Sequence, residues 1–348
     1  MRIFVTGGTG FLGGHLVRLL RERSDEVVAL IRDERKAGRL REIGCALATG
    51  DVRDRDAVRR AIEGCDAAVH AAAIFEVGVP SSRRAEMSAT NVGGTRNVLR
   101  AALDASVGKL VYVSTVAVYG NTRGEVASET AIRSGGYPTH YEWTKVQAHR
   151  VARRMIDQHG LPGAIVLPST IYGPEDRSQL GQIVRQFLAG KAPAMLFPDT
   201  AGFSLVHVED VARGIMLALE RGTLGEEYIL AGELTTMRAY IRRVAELTGR
   251  TPPERAVPPF MLRHVLPLLP RLAQGIGFPV DVREAVASLD GYTYWASHAK
   301  ASRELGYEPR PLAEGLHDTL AVEGERGPQR STPSSPRGSD QSPLVVAS

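Results

Sequence analysis

Six short apolar runs punctuate the first half of the chain: RIFVT (2–6), EVVALI (26–31), CALATG (45–50), AAVHAA (67–72), KLVYVS (109–114) and GAIVLPS (163–169). Each is aliphatic or β-branched and nearly continuous in apolar character. Strands of that kind are buried on both faces of a parallel sheet. Between the runs, apolar residues recur at helical spacing, as with Leu16, Leu19 and Leu20. Strand–helix alternation predicts an α/β fold built on a doubly wound parallel sheet. Ligands of such sheets sit at the carboxyl ends of the strands.

The second half reads differently. It is richer in helix signals, carries most of the prolines, and offers two strand candidates, FSLVHV (203–208) and EEYILAG (226–232). The expected organisation is a nucleotide-binding domain over residues 1–174 and a smaller, mostly helical substrate region over 175–322 that partly returns to the first sheet. From Glu323 onward Ser, Pro, Gly and charge dominate, so 323–348 is expected to be a disordered tail. The most membrane-like stretch, PFMLRHVLPLLPRLAQGIGF (259–278), is a poor spanning helix because of Arg263, His264, Arg271 and its internal prolines. An apolar helix pair over a pocket suits it better, with Phe260, Met261, Leu262, Val265 and Leu266 lining that pocket.

Composition narrows the function classes. With 348 residues and 43% hydrophobic content the chain can bury a full core. The net charge of +4 is mild, and its arginines are spread along the chain rather than clustered, which is no nucleic-acid footprint. Cys45 and Cys65 are too far apart for a CxxC motif and too few for a disulfide framework, and no His/Cys/Asp spacing suggests a metal. The opening MRIFVTGG lacks the basic start and long apolar run of a secretory signal. The expectation is a reduced, cytoplasmic protein that works on a small molecule, with a homodimer left open.

Two motifs carry chemistry. VTGGTGFLGGHL follows the first strand and opens the first helix, with Gly7, Gly10 and Gly13 three apart. Glycines there allow a sharp turn, close approach of a pyrophosphate, and close helix–sheet packing at a helix N-terminus that favours anions. In HYEWTK, Tyr141 precedes Lys145 by four residues, which stacks them on one helical face. Taken alone that pair is either an amphipathic surface or a proton donor with the cation that tunes it. His70 and His207, each in an apolar run, read as hydrogen-bonded core residues, and Glu209 and Asp210 as the start and cap of a following helix.

TGGTGFLG together with YEWTK resembles the extended short-chain dehydrogenase/reductase family, the NAD-dependent epimerase/dehydratase superfamily. The resemblance covers about residues 1–320 and continues through GDVRD (50–54), HAAA (70–73), NVGGT (91–95), YVSTVAVYG (112–120) and PSTIYGP (168–174). It implies a Rossmann sheet and a catalytic set of Thr115, Tyr141 and Lys145. Thr115 would polarise the substrate oxygen, Tyr141 would give or take the proton, and Lys145 would lower the tyrosine pKa and bond the nicotinamide ribose. Ser114 would bond backbone or cofactor. The implied cofactor contacts are Gly7, Thr9, Gly10, Phe11, Leu12, Gly13, Arg32, Asp51, Val52, Ala71, Ala72, Ala73, Asn91, Tyr141, Lys145, Pro168 and Ile171.

The second strand ends at Ile31 followed by Arg32, where an acidic residue would suit a free ribose 2′-hydroxyl. Arginine suits a 2′-phosphate, with Arg35 or Lys36 as helpers. NADP is therefore expected, and NAD stays open through Asp33. Departures from the family pattern bear on the branch. Thr115 is followed by Val116 and Ala117 rather than the Asp-Glu of dehydratases. Leu167, Thr170 and Phe203-Ser204 replace residues of the epimerase patterns. The chain is more similar to the dihydroflavonol-reductase-like and hydroxysteroid-dehydrogenase-like branch. The expected activity is reduction of a ketone, or oxidation of an alcohol, on a small apolar substrate. A nucleotide-sugar epimerase and a non-catalytic NADP-binding regulator are the alternatives.

Overall fold

The computed structural model describes residues 1–191, 201–252, 258, 260–265, 268, 281–289 and 291–325. Seven parallel strands form the main sheet: β1 (Arg2–Thr6), β2 (Glu26–Ile31), β3 (Ala46–Thr49), β4 (Ala67–His70), β5 (Lys109–Val113), β6 (Gly163–Pro168) and β9 (Glu227–Leu230), in the order β3-β2-β1-β4-β5-β6-β9. The first six match the six apolar runs. Alternate residues serve opposite faces. Ile3, Val5, Val27 and Ala29 pack with Leu12, Leu16 and Leu20, while Phe4, Val28 and Leu30 pack with Val58, Val98 and Leu99. Both sets are buried, and so the runs are continuously apolar.

The helices that cover the sheet are α1 (Phe11–Glu22), α3 (Arg55–Ile62), α5 (Thr95–Asp104), α6 (His140–His159) and α8 (Val208–Arg221). Helix α6 has a hydroxyl cap, the Thr139 side chain accepting from Glu142 N at 3.0 Å, and stops at Gly160, whose φ of 68° breaks the helix. Its buried stripe of Tyr141, Thr144, Lys145, Ala148, Ala152 and Met155 follows helical spacing. Helix α4 (Ser81–Ser88) runs into α5 through a widened π turn, Ala89–Gly94.

A second, four-stranded sheet stands beside the first. Strand β8 (Gly202–His207) pairs with β10 (Glu233–Thr236), with β11 (Thr293–Tyr294) at its start, and with β7 (Thr170–Tyr172) at its end. Helices α7 (Gln179–Leu188), α9 (Met237–Leu247) and α12 (Leu312–Glu325) share its core through Phe187, Tyr240 and Leu316.

Several expectations need correction. Helix α12 runs to Glu325, and Glu323 accepts from Glu175 N at 2.8 Å, so order extends past the boundary drawn at 322. The remainder of the tail lies outside the described residues. Helix α8 begins at Val208 and is capped by the His207 side chain, with Glu209 and Asp210 in its first turn rather than at its cap. Within 259–278 only a π turn, Met261–Val265, is described as an element. Phe260 and Met261 are exposed there, and the Leu262 side chain and Leu266 lie outside the described residues.

Two adjacent glycines of α1 make a controlled test. A Cβ on Gly13 would sit 2.1 Å from the Gly7 carbonyl oxygen, whereas one on Gly14 would meet only Gly8 O at 3.8 Å. Gly13→Ala should therefore destabilise by about 1–3 kcal/mol, the scale of overpacking, and weaken nucleotide binding. Gly14→Ala should stabilise by up to about 1 kcal/mol through helix propensity. Urea denaturation of both variants checks the contrast, and equal effects would refute it.

Candidate active site

The site opens where the strand order reverses, between β1 and β4. After Thr6 the chain turns at Gly7 with φ 81°, and a Cβ there would lie 2.8 Å from Ala72 N at the end of β4. Gly10, in extended conformation, caps α1 and makes no side-chain cap bond. The helix thus begins with free amides and a positive end, and the glycines leave room beside it. These residues fit a dinucleotide pyrophosphate. Phe11 and Ile171 are half-buried and line the adjoining cavity, Thr9 is exposed, and Leu12 is buried in the core, so that only its backbone faces the loop.

At the end of β2, Asp33 caps a short 3₁₀ turn and is held by Arg35, which donates from its backbone N at 3.0 Å, from Nε at 2.9 Å and from Nη2 at 3.0 Å. Arg35 is therefore engaged by Asp33. The Arg32 guanidinium lies 3.9 Å from Asp51, which is bonded more closely by Arg53 at 2.8 Å. Burial raises the Asp51 carboxyl, but Arg53 and Arg32 outweigh it and hold the group below the usual carboxylate range. Val52 is buried against Gly94, and its carbonyl accepts from Asn97.

A chain of hydrogen bonds joins the ends of β1 and β4 to Tyr141. Ala72 N donates to Thr6 Oγ1 at 3.3 Å, and Thr6 Oγ1 meets His70 Nδ1 at 2.7 Å. On the other side of the ring, Nε2 lies 3.0 Å from Thr95 Oγ1, which donates to Asn91 O at 2.6 Å. With its proton spent on Asn91, Thr95 can only accept from Nε2–H, and Nδ1 must then accept from Thr6. Asn91 itself bonds both backbone groups of Ile74 and donates to Thr144 Oγ1 at 2.9 Å, which donates to Tyr141 O at 2.7 Å. His70 is thus a hydrogen-bonded core residue, its pKa lowered to about 3 by burial and by the charge of Lys145. Asn91 and Ala72 belong to this framework, and Ala71 N donates to Thr6 O beside it.

Lys145 is buried, with Nζ donating to Val113 O at 3.0 Å and lying 5.4 Å from the centre of the Tyr112 ring. Burial alone lowers its pKa to about 7. Thr115 caps the turn after β5, accepting from Ala117 N at 3.3 Å, and it lines the same cavity as Tyr141. Ser114 points elsewhere. Its Oγ lies 3.0 Å from His149 Nδ1, and His149 Nε2 is 3.3 Å from Glu227, so the partner it has here is a side chain rather than backbone.

The cavity holds about 400 Å³ and is walled mainly by apolar side chains, among them Phe11, Phe75, Val77, Leu180, Phe203 and Met237. Sequence reasoning missed much of this wall. The Phe75 ring meets Tyr141 edge-on at 4.8 Å. The Ser169 hydroxyl is buried at the cavity without a protein partner. Glu284 of α10 (Val282–Leu289) accepts from Gly78 N, Arg84 and His140 N, tying the wall to the start of α6. No short motif signals such contacts, because each joins segments far apart in the chain.

The sequence model of the NAD dependent epimerase/dehydratase family matches residues 3–231, and the chain belongs to that family. It is 31% identical to sterol demethylase protein B of Methylococcus capsulatus over 344 residues, covering 94% of this chain and 99% of that protein. It is 31% identical to a 3 beta-hydroxysteroid dehydrogenase/Delta 5→4-isomerase of Mycobacterium tuberculosis, covering 88% and 86% of the two chains. Among solved structures, a dTDP-glucose 4,6-dehydratase from Streptomyces venezuelae with NAD bound aligns with a TM-score of 0.75 at 28% identity, covering 93% of this chain and 97% of that one. The protein is an NAD(P)-dependent enzyme of the extended short-chain dehydrogenase/reductase type. Among the described residues no helix is long and apolar enough to cross a membrane.

The Lys145 environment predicts a pH signature. A free lysine titrates at about 10.4, and here the folded-state value is about 7. Between the two, the unfolded chain holds a proton that the folded chain has lost, so stability rises with pH across that window and the full cost is felt below about 7. Denaturation without cofactor at pH 6.5 and at pH 9 should show wild type gaining more stability than Lys145→Met. Parallel pH curves would refute this.

Proposed function

We propose that this chain is an NADP-dependent ketone reductase, working also as an alcohol dehydrogenase in reverse, on a small apolar substrate. The observation that carries the reading is the shared cavity: Thr115 and Tyr141 are polar groups in a mostly apolar wall, with the buried ammonium of Lys145 one turn further along α6. Ligand sites take this form, apolar with a few placed polar groups. The nicotinamide, when bound, supplies the hydride. In the proposed roles Thr115 holds the substrate oxygen and Tyr141 moves its proton. Lys145, giving up its bond to Val113 O, would bind the ribose and favour the phenolate. Phe75 packs the Tyr141 ring, and the Asn91–Thr144 link holds the helix turn that carries it.

The nucleotide-sugar epimerase alternative has less support. Leu167 is fully buried and Phe203 faces the cavity, at positions where that branch carries groups for a sugar diphosphate. The reading of a non-catalytic regulator leaves the convergence of Thr115 and Tyr141 on one cavity unexplained. For NADP over NAD, the support is that Asp33 is already neutralised by Arg35, while Arg32 makes only a long contact with Asp51.

Tyr141→Phe keeps the ring against Phe75 and removes the hydroxyl. Turnover, followed as NADPH absorbance, should fall at least about a hundredfold, the scale of a lost general acid, with nucleotide affinity little changed. A variant that still turned over at the wild-type rate would end the proposed mechanism.

Arg32→Ala should weaken NADPH selectively, by about 1.5–3 kcal/mol, the scale of a charge-assisted bond. Titration of both nucleotides checks it. Equal losses for NADPH and NADH, or a wild-type preference for NADH, would mean that Arg32 reads no phosphate.

A further inference from the structure

One wall of the cavity is built as a pair. Phe203 of β8 and Tyr294 of β11 are register partners on neighbouring parallel strands, so their side chains share a face of the small sheet. Their rings stack with centroids 6.2 Å apart and planes 18° from parallel, and both line the cavity. The result is a broad, flat, apolar surface where the epimerase pattern has an Arg-Asp pair.

The Tyr294 hydroxyl is not neutral in its preference. It donates to Glu142 Oε2 at 3.2 Å, and the other carboxylate oxygen accepts from Arg133 Nη2 at 2.6 Å. Burial is the largest influence on the Glu142 carboxyl and leaves its pKa raised, against the hydrogen bond and charge of Arg133 and the Tyr294 hydroxyl; the Arg133 guanidinium at 2.6 Å is what pairs its charged form. Arg133 is fixed in turn by donating to Ala117 O at 3.0 Å and Val118 O at 3.2 Å, in the turn that follows Thr115. An ionised carboxylate can only accept, so the single phenolic proton of Tyr294 is committed to it. What Tyr294 has left for a ligand is oxygen lone pairs. Burial and the Glu142 charge both raise its pKa, which keeps the phenol protonated and this polarity fixed.

We infer that the stacked Phe203–Tyr294 wall reads a flat apolar substrate that carries a hydrogen-bond donor, a hydroxyl or an amine, with Tyr294 Oη as the acceptor. A carbonyl, ether or carboxylate presented at the same place would meet an oxygen with no proton to give, beside a buried carboxylate. This inference rests on the ketone-reductase reading and adds to it the substrate's second functional group. Glu142 is a positioning residue in it, since it acts through Tyr294.

The test uses the full chain with NADPH and rigid ketones in matched triplets. In each triplet the members differ only at one distal position, which bears hydrogen, hydroxyl or methoxy. Suitable probes are cyclohexanones with phenyl, para-hydroxyphenyl and para-methoxyphenyl rings, and flat steroid ketones treated likewise. In at least one triplet the hydroxyl member should show a KM about tenfold lower than the other two, a difference within the range of one hydrogen bond. Tyr294→Phe keeps the stack and should bring the three KM values to within about twofold. Glu142→Gln frees the Tyr294 proton from a charged partner and should selectively improve the methoxy member. Thermal unfolding and NADP titration establish that the variants fold.

Reduction of ketones with no preference for hydroxyl, or a preference that survives Tyr294→Phe, would overturn the inference and leave the reductase reading standing. A methoxy member that binds as well as the hydroxyl would also overturn it, since that group cannot donate. No NADPH consumption with any ketone would overturn both.

Discussion

The carbonyl of Tyr141 ends a line of buried hydrogen bonds that starts at the amide of Ala72 and passes through Thr6, His70, Thr95, Asn91 and Thr144. Buried polar groups must find partners, and leaving one unsatisfied costs about 1–3 kcal/mol. Every member of this line is satisfied by the next, and the protons can be arranged in only one direction. It connects the end of β1, the end of β4 with the residues just after it, the π turn before α5 and the first turn of α6. Those four pieces make up the cleft at the switch point, and none can shift without stranding a donor or an acceptor. The widened turn Ala89–Gly94 fits this role, because it carries the Asn91 side chain to Ile74 on one side and Thr144 on the other.

The charges around the cavity follow the same economy. Lys145 lies close enough for its charge to add to burial in lowering the His70 pKa, and His70 gives up its charge the more completely, with hydroxyl partners for both ring nitrogens. Lys145 sits with a carbonyl and an aromatic face for company. Neither replaces a hydration shell, so its proton is loosely held near neutral pH. Glu142, the next residue but two before it, is buried as well, yet it has a guanidinium and a phenol. Two ionisable groups on one helix thus lie in opposite circumstances, one with full partners and one with few.

What could be read from the chain was what depends on local order. The inner strands of the main sheet were legible because both faces of each are buried, which writes apolar character along them, while the edge strand β3 is only partly covered. The glycine loop was legible because Gly7 and Gly13 meet steric limits that only glycine satisfies. What depends on long-range pairing was not. Ser114 gave no sign of the side chain it meets, His149, which comes 35 positions later on α6. Phe203 was visible as the loss of a charge, but nothing in its surroundings announced Tyr294 as its stacking partner. His207 lies in the core, as its apolar run implies, but its capping of α8 has no local signature, because Glu209 and Asp210 beside it are the more usual capping residues.

Strand β8 runs straight into α8 at His207, and it takes its neighbours from both sides of the chain: β7 just before it, β10 and β11 well after. The small-sheet side of the cavity is therefore woven from three separate stretches, which come together in that sheet. For modular exchange between homologues this is a restrictive arrangement. A transplanted segment carrying β7, α7 and β8 would arrive without the β10 and β11 edges that it pairs with, and one carrying β11 alone would bring Tyr294 without Phe203. Recombination of substrate preference in this fold would have to move all three stretches at once, and single-crossover hybrids should lose the wall rather than inherit it.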